Sequence, residues 1–107
     1  MYVVVRRYTM AGSIKELFRR AKEEFIPIIT RLPGFKALHV VDCGGRALLS
    51  ISFWEDRATA VKSTEVARDW VSKSAIGLVP FPPEVLEGDT MIDIVREAMA
   101  GPAQPDN

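Results

Sequence analysis

Residues 35–58 read FKALHVVDCGGRALLSISFWEDRA, and the order of signals within them decides the fold. Phe35 to Asp42 is rich in β-branched and aromatic residues and predicts a strand. Cys43-Gly44-Gly45 predicts a turn, because glycine enters positive φ without steric penalty. Arg46 to Trp54 predicts a second strand, so the two form a hairpin. Asp56 supplies an N-cap, and a helix runs from it to about Ser74. At three- and four-residue spacing its inward stripe is Ala60, Ser63, Thr64, Ala67, Trp70 and Val71.

Upstream, residues 2–8 (YVVVRRY) predict the first strand. Ser13 and Glu16 form a capping-box pattern. The helix that follows carries Ile14, Leu17, Phe18, Ala21, Phe25, Ile28, Ile29 and Leu32 on one side. Pro27, which lacks a backbone donor, is expected to kink or divide it. Pro33-Gly34 ends it. Downstream, residues 77–83 contain three prolines and predict a loop. Glu84 to about Ile94 predicts a fourth strand, with a short helix over Asp93 to Ala100 as the alternative ending. The order β-α-β-β-α-β is the ferredoxin-like α+β pattern, with a four-stranded antiparallel sheet and two helices on one face. Strands one and three are expected at the centre. One domain is expected over residues 1–94, with residues 95–107 a partly disordered tail.

Composition narrows the function classes. The chain has 107 residues, with 14 basic and 14 acidic side chains and a formal net charge of zero. That balance offers no excess of cations for phosphates, so no nucleic-acid partner is expected. Cys43 and His39 are the sole cysteine and histidine. An internal disulfide and a cysteine- or histidine-based metal cage within one chain are excluded, and no metal is expected. No apolar run is long enough to span a membrane, and Tyr2 to Val5 is too short for a secretory signal, so a cytoplasmic location is expected.

The strands are apolar on both faces. Val3 and Val5 oppose Tyr2, Val4 and Tyr8, while Leu49, Ile51 and Phe53 oppose Leu48 and Trp54. Strict alternation also groups Phe35 with Ala37 and Val41, opposite Leu38 and Val40. Two helices cover only one face. A sheet face that met water would be polar, so a homodimer through the helix-free face is expected, with a monomer whose terminal segment folds over that face as the alternative.

The opening strand YVVVRRY, the LPGF entry to strand two, the strand-three ending FWEDRA, the Ala67-Arg68-Asp69-Trp70 segment and PPEVLEG occur in an order that resembles the antibiotic-biosynthesis-monooxygenase-like family of dimeric α+β barrels. The resemblance covers about residues 2–91. It implies two ferredoxin-like protomers joined sheet to sheet, each with a small cleft between sheet and helices. It also implies, in some members, oxidation of aromatic molecules by O₂ without a cofactor. Other members degrade haem, using an asparagine on strand one and a tryptophan and a histidine on helix two. Here those positions hold Arg6, Lys62 and about Ser72, so haem degradation is not expected.

Several residues are candidates for the cleft. Arg6 and Arg7 point to opposite sheet faces, and the one on the helix side would hold an anionic oxygen. Pairing with an acidic residue or reaching water is the competing use. His39 would take a proton from a phenol, or else serve as a hydrogen-bonded core or interface histidine. Ser63, Thr64, Ala67 and Trp70 form a small, mildly polar helix face that either packs closely or leaves a cavity for a flat ligand. Trp54, Tyr2 and Tyr8 would contact that ligand or brace the sheet. The expected function is that of a cofactor-free monooxygenase, or related enzyme, on a small aromatic or enolisable molecule. The alternative is a non-catalytic binding or assembly module.

Overall fold

The computed structural model of the protein describes residues 1–96. Four strands, β1 (Tyr2–Thr9), β2 (Phe35–Gly44), β3 (Ala47–Trp54) and β4 (Glu84–Asp89), form one antiparallel sheet in the order β2-β3-β1-β4. β1 and β3 are central, as the ferredoxin-like order requires. The first helical segment is divided into α1 (Ile14–Arg20), a π-helical stretch (Ala21–Phe25) and α2 (Ile26–Ile29). The cause is Pro27, which cannot donate to the carbonyl four residues back. The wide turn absorbs the mismatch, and the Ile26 N–H bonds the Ala21 carbonyl instead. The second helix, α3 (Arg57–Ser74), starts on a capping box. Asp56 accepts from the Thr59 N–H at 2.9 Å, and Thr59 Oγ1 accepts from the Asp56 N–H.

Gly34 ties the two halves together. Its φ is +81°, and a Cβ there would lie 2.6 Å from Thr59 Oγ1. Its carbonyl accepts from the Glu55 N–H at 2.8 Å. Only glycine fits both the left-handed backbone and the close approach of α3.

Three expectations need correction. β2 runs on to Gly44, so the hairpin turn is Gly45-Arg46, both at positive φ as a tight two-residue turn demands. A register shift between Phe35 and Ala37 puts Phe35 opposite Trp54 and Ala37 opposite Phe53. Phe35 therefore lies on the helix side, separated from Ala37 and Val41 by a bulge that strict alternation does not anticipate. β4 ends at Asp89 rather than near Ile94, because its partner β1 begins at Tyr2, which pairs with Asp89. Residues 91–96 are exposed and neither strand nor helix. The rest of the expected tail, residues 97–107, lies outside the described residues.

The core on the helix side falls into two clusters. One holds Tyr2, Val4, Ile29, Trp54 and Ala60. The other holds Met10, Leu17, Leu48, Trp70, Ala75 and Val79. Along β1 the residue between them is Arg6. On the other sheet face, Val3, Val5, Leu49, Ile51 and Phe53 are half-buried, and no helix of the described residues lies over them. Among the described residues no helix is long and apolar enough to cross a membrane.

Candidate functional site

The face of β1 that points at α3 carries Tyr2, Val4, Arg6 and Tyr8. Arg6 is thus the arginine on the cleft side, only 2% exposed. Arg7 points the other way and pairs with Glu84 at 3.6 Å in solvent. Cross-strand neighbours of Arg6 are Ser50 on β3 and Val85 on β4. Above it, α3 presents Thr64, whose hydroxyl accepts from Arg6 Nη2 at 2.7 Å and reaches the Ala60 carbonyl at 3.2 Å. That is the only hydrogen bond of the Arg6 side chain among the described residues, and no carboxylate pairs with it there. A guanidinium has five donors. Buried with one neutral acceptor and no salt-bridge partner, it has its desolvation offset, among the described carboxylates, only by the longer-range charge of Glu87.

A cleft of about 360 Å³ opens beside it. Arg6, Tyr8, Thr64, Ala67, Arg68 and Ser72 form its polar and helical wall. Ile76, Val79, Phe81 and Val85 form the apolar wall, and Val71 and Pro80, Pro82 and Pro83 complete the lining. An inner extension of about 60 Å³ shares Arg6, Tyr8, Ala67, Val71 and Val79 and reaches Phe25 and Trp70. The outer cleft alone is within the range of small-molecule sites, roughly 300–1,000 Å³.

The site's electrostatics follow from burial. Arg6 is pushed below the usual guanidinium range chiefly by desolvation, with the nearby Arg68 charge acting in the same direction and Tyr8 and Glu87 opposing it. Tyr8 is pushed up by desolvation, and Arg6 partly counters that. The resting site is therefore a buried cation beside a neutral phenol, and burial of Arg6 strengthens its interaction with an anion.

The structure brings together some of the residues singled out from sequence and separates others. Arg6, Tyr8, Thr64 and Ala67 line the cleft, and Trp70 lines its inner extension while donating from Nε1 to Glu24 at 3.1 Å. Tyr2, Trp54 and Ser63 do not reach it. The Tyr2 hydroxyl donates to Glu87 Oε1 at 3.1 Å, and the Ser63 hydroxyl donates to the Ala60 carbonyl at 2.6 Å. Trp54 is fully buried, packed edge-on to Phe35. His39 pairs in register with Ile51 and stands on the helix-free face, exposed, beside Phe53. The sheet itself lies between His39 and Arg6, so His39 is not a base for this cleft. Arg68, Ser72 and the Phe81 loop were not singled out from sequence. The helical spacing of Thr64, Arg68 and Ser72, four residues apart on one face, is the signal that reveals the first two. Among the described residues no group of three or more histidine, cysteine or acidic side chains is placed to hold a metal.

No family model matches this chain, and no curated protein matches it. Solved structures do. A monooxygenase from the gene ActVA-Orf6 of Streptomyces coelicolor, in complex with nanaomycin D, matches with a TM-score of 0.69 and 17% identity, covering 90% of this chain and 92% of that one. SnoaB, a cofactor-independent oxygenase from Streptomyces nogalater, matches as an N-to-A variant with a TM-score of 0.69 and 15% identity, covering 89% and 97%. An MhuD variant with two manganese protoporphyrin IX per active site matches with a TM-score of 0.68 and 11% identity, covering 90% and 100%. The chain thus has the fold of the antibiotic biosynthesis monooxygenase-type proteins, the fold its sequence resembles.

Proposed function

We propose that the protein is a cofactor-independent monooxygenase, or a closely related enzyme, acting on a small aromatic or enolisable molecule held in the Arg6 cleft. The observation that carries this reading is the buried Arg6 guanidinium, which faces an apolar cleft with one neutral hydrogen-bond partner. An anionic ring oxygen would supply the missing partner. Charge-assisted hydrogen bonds are shorter and about twice as strong as neutral ones. Binding would therefore lower the pKa of a phenol or enol, and its proton would leave to water, since the described lining holds no carboxylate or imidazole.

The phenolate or enolate so formed is electron-rich enough to react with O₂ directly. One electron passes from the anion to O₂, the radical pair joins as a C–O bond, the peroxide anion takes a proton back from water, and the hydroperoxide loses water to leave a carbonyl. For a phenol with a free ring position, phenol plus O₂ gives quinone plus water, so O₂ is the oxidant and one of its oxygen atoms stays in the product. Arg6 would stabilise the starting anion, Tyr8 and Thr64 would offer hydroxyls beside it, and the Val71, Val79 and Phe81 wall would exclude water. The structural likeness to SnoaB and to the Streptomyces coelicolor enzyme is consistent with this chemistry. Haem fits less well. The described lining has no histidine, cysteine or methionine to ligate iron, and burial favours the neutral form of Tyr8.

The lack of a base in the lining also supports a second reading, a non-catalytic binding module. An oxygen electrode with hydroxynaphthalenes and anthrone as probes separates the two. The oxygenase reading expects O₂ uptake that rises with pH as the probe ionises and that falls in Arg6→Met. Saturable binding without O₂ uptake above the buffer rate would favour the binding module.

The helix-free face belongs to the same proposal. Val3, Val5, Leu49, Ile51 and Phe53 form a continuous apolar surface, and burying it against a second copy would contribute about 25 cal/mol per Å² before association costs. Sedimentation at low micromolar concentration is expected to show a dimer; a strict monomer there would refute it.

A further inference from the structure

Two guanidinium groups face the one cleft. Arg6 lies at its floor, buried on β1, and Arg68 lies on α3, exposed, one turn beyond Thr64. They are close enough for the charge of Arg68 to act on Arg6, although the Glu87 carboxylate, which accepts from the Tyr2 hydroxyl, acts on it more strongly in the opposite direction. Neither forms a salt bridge among the described residues, although six other ion pairs are present there, two of them on α3 itself. Arg68 has acidic neighbours in sequence, yet Glu65 is taken by Lys62 at 3.9 Å and Asp69 by Lys73 at 3.2 Å. The lining between the two arginines holds no carboxylate, and the wall opposite is apolar, with Val85 and Phe81.

A cleft lined by two like charges and no carboxylate is suited to a ligand with two anionic groups. Resting on the reading of this cleft as the site of an aromatic or enolisable substrate, we infer that the substrate is a hydroxy-aromatic acid. Its phenolic or enolic oxygen meets Arg6, and a carboxylate at the other end of the ring meets Arg68. Arg68 is hydrated in the free protein, so it gains most from a ligand group that its fork matches in a bidentate pair, which a carboxylate does. Being nearer solvent, its contribution is the more strongly screened by salt. Arg6 is the anchor and Arg68 a specificity determinant.

The test is calorimetric titration with 6-hydroxy-2-naphthoate and its methyl ester, which share the ring and the hydroxyl and differ in the charge at the far end. The full chain is expected to bind the acid about tenfold or more tightly than the ester. In Arg68→Gln that preference is expected to fall to within twofold, chiefly through loss of affinity for the acid. Arg57→Gln, which removes a charge on the same helix outside the cleft, keeps the preference. Raising salt from 50 to 500 mM reduces the preference in the native chain more than it reduces ester binding. Equal affinity for acid and ester, or a preference that survives in Arg68→Gln, overturns the inference and leaves the cleft reading standing. Failure of both probes to bind, with Arg6→Met indistinguishable from the native chain, overturns the cleft reading and this inference with it.

Discussion

The two ends of the space between the sheet and α3 are built from the same helix stripe, yet one is solid and the other hollow. At the Trp54 end, Ala60 and Ser63 let α3 settle onto fully buried Val4, Ser52 and Trp54. At the Arg6 end, one turn further along, Thr64 and Ala67 border a cleft of about 360 Å³. Small residues on a helix therefore have no single meaning. Where a large side chain such as Trp54 rises from the sheet, they permit close packing. Where the sheet presents a guanidinium that needs a ligand, they leave room for one. The two tryptophans follow the same division. Trp54 Nε1 is buried without a partner, as is the Ser52 hydroxyl, whereas Trp70 Nε1 reaches Glu24 at the edge of the second cluster.

The sharpest way to break this comparison is to remove Trp54. Trp54→Ala empties the solid end and should cost about 3–5 kcal/mol in stability, read from denaturant unfolding. The folded fraction should still bind a cleft ligand with native affinity. Loss of binding in step with stability would mean that the two ends are not independent.

The same substitution placed at both ends sharpens the contrast. Ala60→Leu forces extra volume into packed space and should destabilise by about 1–3 kcal/mol. Ala67→Leu should find room in the cleft, changing stability by less than about 1 kcal/mol, while weakening ligand binding at least tenfold by occupying the site. Equal destabilisation by the two would contradict a hollow Arg6 end.

A third region, the solvent face of α1, gives the scale of a surface effect. Hydrogen bonds from Arg19 and Arg20 hold the Glu16 carboxylate down, from an ordinary 4.5 to about 2. A lowered folded-state pKa adds stability that is fully present above the unfolded value and is lost as pH falls through the folded one. Melting temperature should therefore fall between pH 4.5 and 2 slightly more in the native chain than in Glu16→Gln. The difference should shrink in high salt, because the pair is exposed.

Much of the solid end was legible in the sequence. The Asp56 cap, the Gly34 stop and the helical stripe each rest on local backbone chemistry that one sequence displays, as does the glycine hairpin at the far end of β3. The bulge at Lys36 was not legible, since it alters pairing without any glycine or proline to mark it, and it moved Phe35 to the helix side. The cleft was half legible. Arg6, Tyr8, Thr64 and Ala67 are named by strand and helix periodicity. His39 failed as a cleft residue because it stands on the helix-free face, and Trp54, Tyr2 and Ser63 failed for a different reason. Periodicity gives a face, while position along that face depends on register and on the loop at Pro80–Pro83, which closes the far wall from a distance no local pattern encodes.

The central claim is that Arg6 is kept buried and unpaired by an acidic side chain in order to hold an anionic oxygen. Calorimetry of the native chain and Arg6→Met with a nitrophenol, whose ionisation falls near neutral pH, tests it most directly. The account predicts that native affinity rises as the phenol ionises, and that Arg6→Met binds about 10–100-fold more weakly with no such rise. The same variant should be no less stable, since it removes a buried charge that lacks an acidic partner. Native-like affinity in Arg6→Met, with the same pH dependence, would contradict it.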